Sequence, residues 1–209
     1  MKIGILGGGS VGGTLGIVWT RHGHEIVFGV RQPDAADMKE VLHQCGGRAR
    51  AAGPQQAAAF GEVIVNALPW PATKGVLSKL DLKGKIVLDC TNPLLPGLAG
   101  LELGTTTSGA EQVAQWAPGS RVVKIFNTTG SNNMENPYYD GRPIPMFYCG
   151  DDAAAKKTAQ ALAAEIGFEP VDAGPLSTAR LLEPLAMLWI RMAYQGGFGR
   201  EFAFQIVKR

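Results

Sequence analysis

The chain has 209 residues, of which 45% are hydrophobic and 18% charged, with a formal net charge of +2. That suffices for one well-buried domain; with no basic run, nucleic acid is not expected as the main partner, though a local phosphate site fits. Cys45, Cys90 and Cys149 are far apart and the histidines form no cluster, so neither a disulfide framework nor a metal site is expected.

Strand and helix patterns alternate from the start. "KIGIL" reads as a buried strand and Ser10–His22 as a helix. "EIVFGV" is a second strand, followed by a helix over Asp34–Gln44 in which Met38, Val41 and Leu42 recur at helical spacing. A short strand "GRARAA" precedes the helix "PQQAAAF", which has Pro54 at its first position. "EVIVNAL" ends at Pro69, and a helix is expected from Ala72 to Leu80. "KIVLDC" leads into "TNP" and a glycine-rich loop, then a helix over Ser108–Trp116 and the strand "RVVKIF".

After the polar loop "NTTGSNNMENPYYDGRP" come a strand "IPMFYCG", a helix over Asp152–Gly167 and a strand "FEPVDAG". The last apolar helical stretch contains Pro184, where a kink or break is expected. Glu183, Pro184 and Arg191 interrupt that stretch, and the first strand pattern starts at Lys2, so a cytoplasmic chain without a membrane segment is expected. The alternation predicts an α/β, Rossmann-type, doubly wound and mostly parallel sheet. Residues 1–175 would form the dinucleotide-binding part and 176–209 a small C-terminal helical segment packed on it, together one unit.

The opening stretch "KIGILGGGSVGGTL" holds Gly7, Gly9 and Gly12 in the pattern G-x-G-x-x-G between a strand and a helix. The first glycine permits a tight turn, the second lets a pyrophosphate approach the backbone, and the third lets helix and strand pack closely. Free N–H groups at the helix start would face the phosphates. No acid stands at Val30, Arg31 or Gln32 to bind a ribose diol, and Arg31 would attract a 2′-phosphate. NADP(H) is therefore expected over NAD(H).

Ligands of an open parallel sheet sit at the carboxyl ends of its strands. Here those ends are "NALPW", "DCTNP" and "FNTTGSN", loops able to line a nicotinamide ribose and carboxamide. No His or Lys is read as standing at a strand end beside a carboxylate, and Cys90 reads as a buried thiol, so no catalytic acid or base is assigned. Direct hydride transfer between two bound rings, by positioning and exclusion of water, is the chemistry expected. Phe198, Phe202 and Phe204 suit core or a dimer contact better than a ring-stacking wall.

The segments "GILGGGSVGGTL", "FGVRQP", "NALPW", "CTNP", "KIFNTTGSN", "YCGDD" and "DAGPLSTARLLEPL" resemble, in order and over nearly the whole chain, the deazaflavin (coenzyme F420)-dependent NADP oxidoreductases. The cytosolic domains of the STEAP metalloreductases are related. The resemblance implies NADPH held by Gly7, Gly9, Ser10, Val11 and Gly12, with Arg31 on the 2′-phosphate. It places Ala67, Leu68, Pro69 and Asn92 along the cofactor, and Gly130 and Ser131 near the nicotinamide. The second ring, F420 or a flavin (FMN or FAD), would meet Thr91, Pro93, Asn127, Thr128, Thr129 and the C-terminal segment. A homodimer is implied as well.

Val30 stands where a small hydroxyl residue often precedes the arginine, leaving more of the phosphate to Arg31. Asn127 resembles the metalloreductase domains, where the archaeal deazaflavin enzymes have a histidine. Two other functions suit the same motifs: reduction of a small carbonyl or imine, and a non-enzymatic NADP(H)-binding sensor.

Overall fold

The computed structural model describes all residues from Met1 to Arg209. Its main sheet uses β1 (Lys2–Leu6), β2 (Glu25–Gly29), β3 (Ala49–Ala52), β4 (Val63–Asn66), β5 (Ile86–Asp89) and β6 (Arg121–Lys124), then β9 (Pro145–Gly150) and β10 (Glu169–Asp172). A separate hairpin is formed by β7 (Tyr138–Tyr139) and β8 (Arg142–Pro143). The helices are α1 (Ser10–Arg21), α2 (Ala36–Gln44), α3 (Pro54–Phe60), α4 (Trp70–Leu77), α5 (Gly109–Trp116), α6 (Ser131–Glu135), α7 (Ala153–Glu165) and α8 (Ala179–Tyr194).

Strand order in the sheet is β10-β9-β6-β5-β4-β1-β2-β3. The six strands from β3 to β6 thus run 3-2-1-4-5-6, the Rossmann order, with its switch point between β1 and β4. These strands carry apolar side chains alternately to both faces, as the two-residue period of a strand demands. Ile3, Ile5, Val65 and Leu88 join Leu15 and Trp19 of α1 and Leu162 of α7 on one face. Leu6, Ile64 and Val87 join Ala57 of α3, Leu77 of α4, Val113 of α5 and Leu182 of α8 on the other. Trp19 is fully buried and donates its indole N–H to the Leu162 carbonyl at 3.2 Å, tying α1 to α7.

The last two strands depart from the parallel pattern. β9 is antiparallel to β6, with Lys124 opposite Cys149, and β10 runs parallel to β9. The reason lies in the polar loop, which is not featureless: it holds the five-residue α6 and the β7–β8 hairpin. A parallel return needs a long crossover, usually a helix packed along the sheet, and this excursion brings the chain back at the end it left. Of the kink or break expected at Pro184, the break does not occur: α8 continues through it to Tyr194. A proline removes one backbone donor; here the side chain of the preceding residue, Glu183, is anchored to α5 and β6 at that turn.

No helix is long and apolar enough to cross a membrane.

Candidate active site

The parallel register lines up Gly29, Leu6, Asn66, Asp89 and Lys124 in one row at the carboxyl ends of five adjacent strands. Above that row lies a cleft of about 960 Å³ whose lining includes Gly7, Gly9, Ser10, Val11, Arg31, Ala67, Leu68 and Pro69. Of the expected cofactor residues, Gly12 lies beneath this cleft, and Asn92, Gly130 and Ser131 do not line it.

The three motif glycines do three different things. Gly7 has φ +99°, and a Cβ there would lie 2.7 Å from the Ala67 carbonyl oxygen. Gly12 is buried, and its Cβ would lie 2.1 Å from the Gly7 carbonyl oxygen and 3.2 Å from the Ala67 Cβ, so only glycine lets α1 start against β1 and β4. A Cβ on Gly9 would meet nothing within 4 Å. That open space lies at the start of α1, where no side chain caps the free N–H groups, leaving them available to an anion.

Arg31 lines this cleft and takes part in no ion pair. Asp37 lines it too, its Oδ1 accepting the Met38 N–H at 2.9 Å. Sequence reading did not single out Gly8, Asp37 or Met38, which also border the cleft.

A second cleft, of about 300 Å³, meets the first at Ser10 and Val11. Of the expected residues, Asn92, Asn127, Thr129, Gly130 and Ser131 line it. Thr91, Pro93 and Thr128 do not. Thr91 is buried, with its hydroxyl turned to Asp89 Oδ1 at 2.9 Å. Pro93 packs near Gly109, and Thr128 is buried. Trp189, Ile190 and Tyr194 line the second cleft from the C-terminal segment, as expected, while Leu94, Leu98 and Phe126 come from stretches read only as loop or strand end.

Leu98 (φ 57°) and Phe126 (φ 60°) are two of the four non-glycine residues with positive φ, and both border this cleft. Strain of that kind concentrates at functional sites. Beyond Phe126, Asn127 and Asn92 clasp each other: Asn92 Nδ2 donates to the Asn127 carbonyl at 3.1 Å and Asn127 Nδ2 to Asn92 Oδ1 at 3.0 Å. Asn127 Oδ1 is buried and has no hydrogen-bond partner.

Behind the wall lies a buried charge cluster that corrects the reading of the strand ends. Lys124, fully buried, does stand at a strand end beside carboxylates: its Nζ is 2.7 Å from Asp89 Oδ2 and 2.9 Å from Glu183 Oε1, and it also donates to the Thr91 carbonyl. Burial alone would lower the ammonium's pKa, but the two carboxylates outweigh it and hold it above the usual lysine range. Asn66 Nδ2 donates to Asp89 Oδ1 at 2.8 Å. With every lysine donor direction engaged, the cluster serves as a brace and not as a proton relay. The sequence signal was a lysine inside the apolar strand "RVVKIF"; its partners, 35 and 59 positions away, had no local signature.

Cys90 borders the second cleft, and burial together with the Asp89 charge pushes its thiol well above the usual range, with Lys124 offsetting only part. No cluster of three or more His, Cys, Asp or Glu side chains has metal-binding proximity.

The profile of the family "NADP oxidoreductase coenzyme F420-dependent" matches residues 2–93, the stretch that builds the larger cleft. Over the whole chain, the fold is that of a protein from Arthrobacter sp. FB24 assigned as an F420-dependent NADP reductase, with TM-score 0.89, 31% identity and 100% of both chains covered. This chain belongs to the F420-dependent NADP oxidoreductase family. Membership places it among NADP-dependent oxidoreductases. The family also reaches the metalloreductases: the chain is 32% identical over 190 residues to Metalloreductase STEAP3 of Rattus norvegicus, covering 90% of this chain and 37% of that protein. The chain therefore spans little more than a third of the curated relatives it matches. A reductive aminase from Aspergillus terreus shares the fold alone, at 19% identity and TM-score 0.67 over 94% of this chain and 63% of the other.

Proposed function

We propose that this family member oxidises NADPH and passes the hydride to a flat heteroaromatic acceptor, F420 or a flavin, bound in the second cleft. The observation that carries this reading is the junction of the two clefts at Ser10 and Val11. A dinucleotide reaching along the first would present its far ring to the mouth of the second.

The residues present fit NADPH. Gly9 leaves the backbone open, the start of α1 has uncapped N–H groups, and Arg31 is an unpaired cation in the same cleft. Bound there, the cofactor supplies the hydride. The chain supplies binding and orientation: the α1 N–H groups for pyrophosphate, Arg31 for the 2′-phosphate, and Ala67–Pro69 along the cofactor's length. Trp189, Phe126 and the leucines 94 and 98 exclude water around the reacting rings. No side chain with an accessible acidic proton is needed, and the buried Lys124 and Cys90 offer none.

The test is anaerobic oxidation of NADPH by the purified protein with F420, FMN and FAD in parallel and NADH as control. Turnover with F420 or a flavin supports the reading; tight NADPH binding with no turnover on any of them removes it. Reduction of a small carbonyl or imine is the second reading, and Tyr194, which lines the second cleft, is the residue that would donate the proton. Tyr194→Phe would abolish such a reaction and leave ring reduction intact. We also read the chain as a cytoplasmic homodimer, with the exposed Leu181 and Leu188 of α8 against a second copy; a monomer in light scattering would remove that expectation.

A further inference from the structure

The second cleft has a charge pattern that its aromatic walls do not explain. Among the residues lining it, Arg200 carries the one charged side chain. Its guanidinium donates to a neutral oxygen, Ser131 Oγ, at 3.1 Å, and pairs with no carboxylate. The adjacent Glu201 is not its partner: Glu201 Oε1 accepts from Asn132 Nδ2 at 3.0 Å.

Arg200 is also held in place, although it lies in a segment without regular structure. Asn132 Nδ2 donates to its carbonyl at 3.0 Å. Two residues on, the Phe202 carbonyl accepts from Asn133 Nδ2 at 2.9 Å and from Trp189 Nε1 at 3.0 Å. The Phe202 ring stacks on Trp189 with centroids 5.2 Å apart and planes 16° from parallel. Side chains of α6 and α8 thus clamp the backbone around Arg200 and keep a cation at the mouth of an otherwise uncharged cleft.

We propose that Arg200 anchors an anionic group, a phosphate or carboxylate, borne on the tail of the acceptor whose ring fills the second cleft. This rests on reading that cleft as the acceptor site. A guanidinium suits such a group because its planar fork matches two anionic oxygens. The tail from Gly196 to Arg209 is then part of the acceptor site and sets preference for anionic over neutral acceptors of the same ring.

FMN and riboflavin share one ring system and differ in the phosphate, so they isolate the contact. Their binding to the full chain, saturated with NADP⁺ to prevent turnover, is read by quenching of flavin fluorescence. The wild type should bind FMN about tenfold more tightly than riboflavin, the scale of one charge-assisted bond at an exposed site. That preference should shrink with added salt. Arg200→Gln should bring the two affinities together, Arg200→Lys should keep part of the preference, and NADP⁺ affinity should hold in both.

An unchanged FMN preference in Arg200→Gln overturns the assignment while leaving the acceptor site standing. A loss of NADP⁺ affinity matching the loss of FMN affinity also overturns it, because Arg200 would then serve the dinucleotide's own phosphates. If neither flavin nor F420 binds the wild type, the acceptor reading itself falls and takes the anchor with it.

Discussion

The carboxylate of Glu183 on α8 accepts the backbone N–H of Gly109, the first residue of α5, at 2.8 Å across 74 residues of sequence. It accepts the next N–H, from Ala110, at 3.0 Å, and reaches Lys124 at 2.9 Å with its Oε1. One side chain therefore caps a helix, neutralises a buried cation and fixes α8, the helix whose Trp189 and Ile190 form a wall of the second cleft. Gly109 permits this, since a Cβ there would lie 3.1 Å from Glu183 Oε1 and 3.2 Å from the Trp70 ring.

Replacing the cation exposes the cost of that arrangement. Lys124→Met leaves Asp89 and Glu183 buried without their partner, and the expected loss is about 3–5 kcal/mol. Urea unfolding followed by circular dichroism measures it. A loss under about 1 kcal/mol, the worth of a surface pair, would mean that the cluster is solvated.

Two glycines of one motif should separate folding from binding. Gly12→Ala forces a methyl against the Gly7 carbonyl and Ala67, so stability should drop by about 1–3 kcal/mol. Gly9→Ala meets open space and has an ordinary φ of −75°, so unfolding should move by less than about 0.5 kcal/mol. NADPH affinity should nevertheless fall in Gly9→Ala, because the methyl occupies the approach of the pyrophosphate. Calorimetric titration beside a thermal melt reads both, and full NADPH affinity in Gly9→Ala would place the phosphates elsewhere.

Arg31→Ala should weaken NADPH by about 1.5–3 kcal/mol, the range of a hydrogen bond to a charged group, and leave NADH nearly unchanged. Equal losses for both dinucleotides would show that Arg31 does not read the 2′-phosphate.

Acid should loosen the contact between α5 and α8 in a predictable window. Arg180 donates to both oxygens of Glu111, at 2.9 and 2.6 Å, and this contact outweighs burial, with Ser108 assisting, to hold the carboxyl below its usual range. A depressed carboxylate binds fewer protons folded than unfolded, so its stabilisation is complete above the unfolded value of about 4.3 and is lost as pH falls through the lower folded value. The difference in urea midpoint between wild type and Arg180→Gln should therefore be present at pH 7 and shrink as pH drops below about 4. A difference independent of pH would assign the effect of Arg180 to packing.

By itself, the order of residues determined the Rossmann architecture and the larger cleft. Short-range rules suffice there: apolar runs of strand length, glycines at set spacing between a strand and a helix, and an arginine at the end of the second strand are all read within a few residues of chain. The tertiary structure alone decided the antiparallel entry of β9, the continuation of α8 through Pro184 and the makeup of the second cleft. It turned Thr91 inward to Asp89 and Thr128 into the interior, and selected Trp189 and Arg200 from the C-terminal segment that was expected, without named residues, to wall the site. The physical reason is range. Lys124 finds Glu183, and Asn132 finds Arg200, only after the sheet has set the register that brings distant segments together, and a buried charge or a clamped carbonyl has no periodicity along the chain to announce its partner.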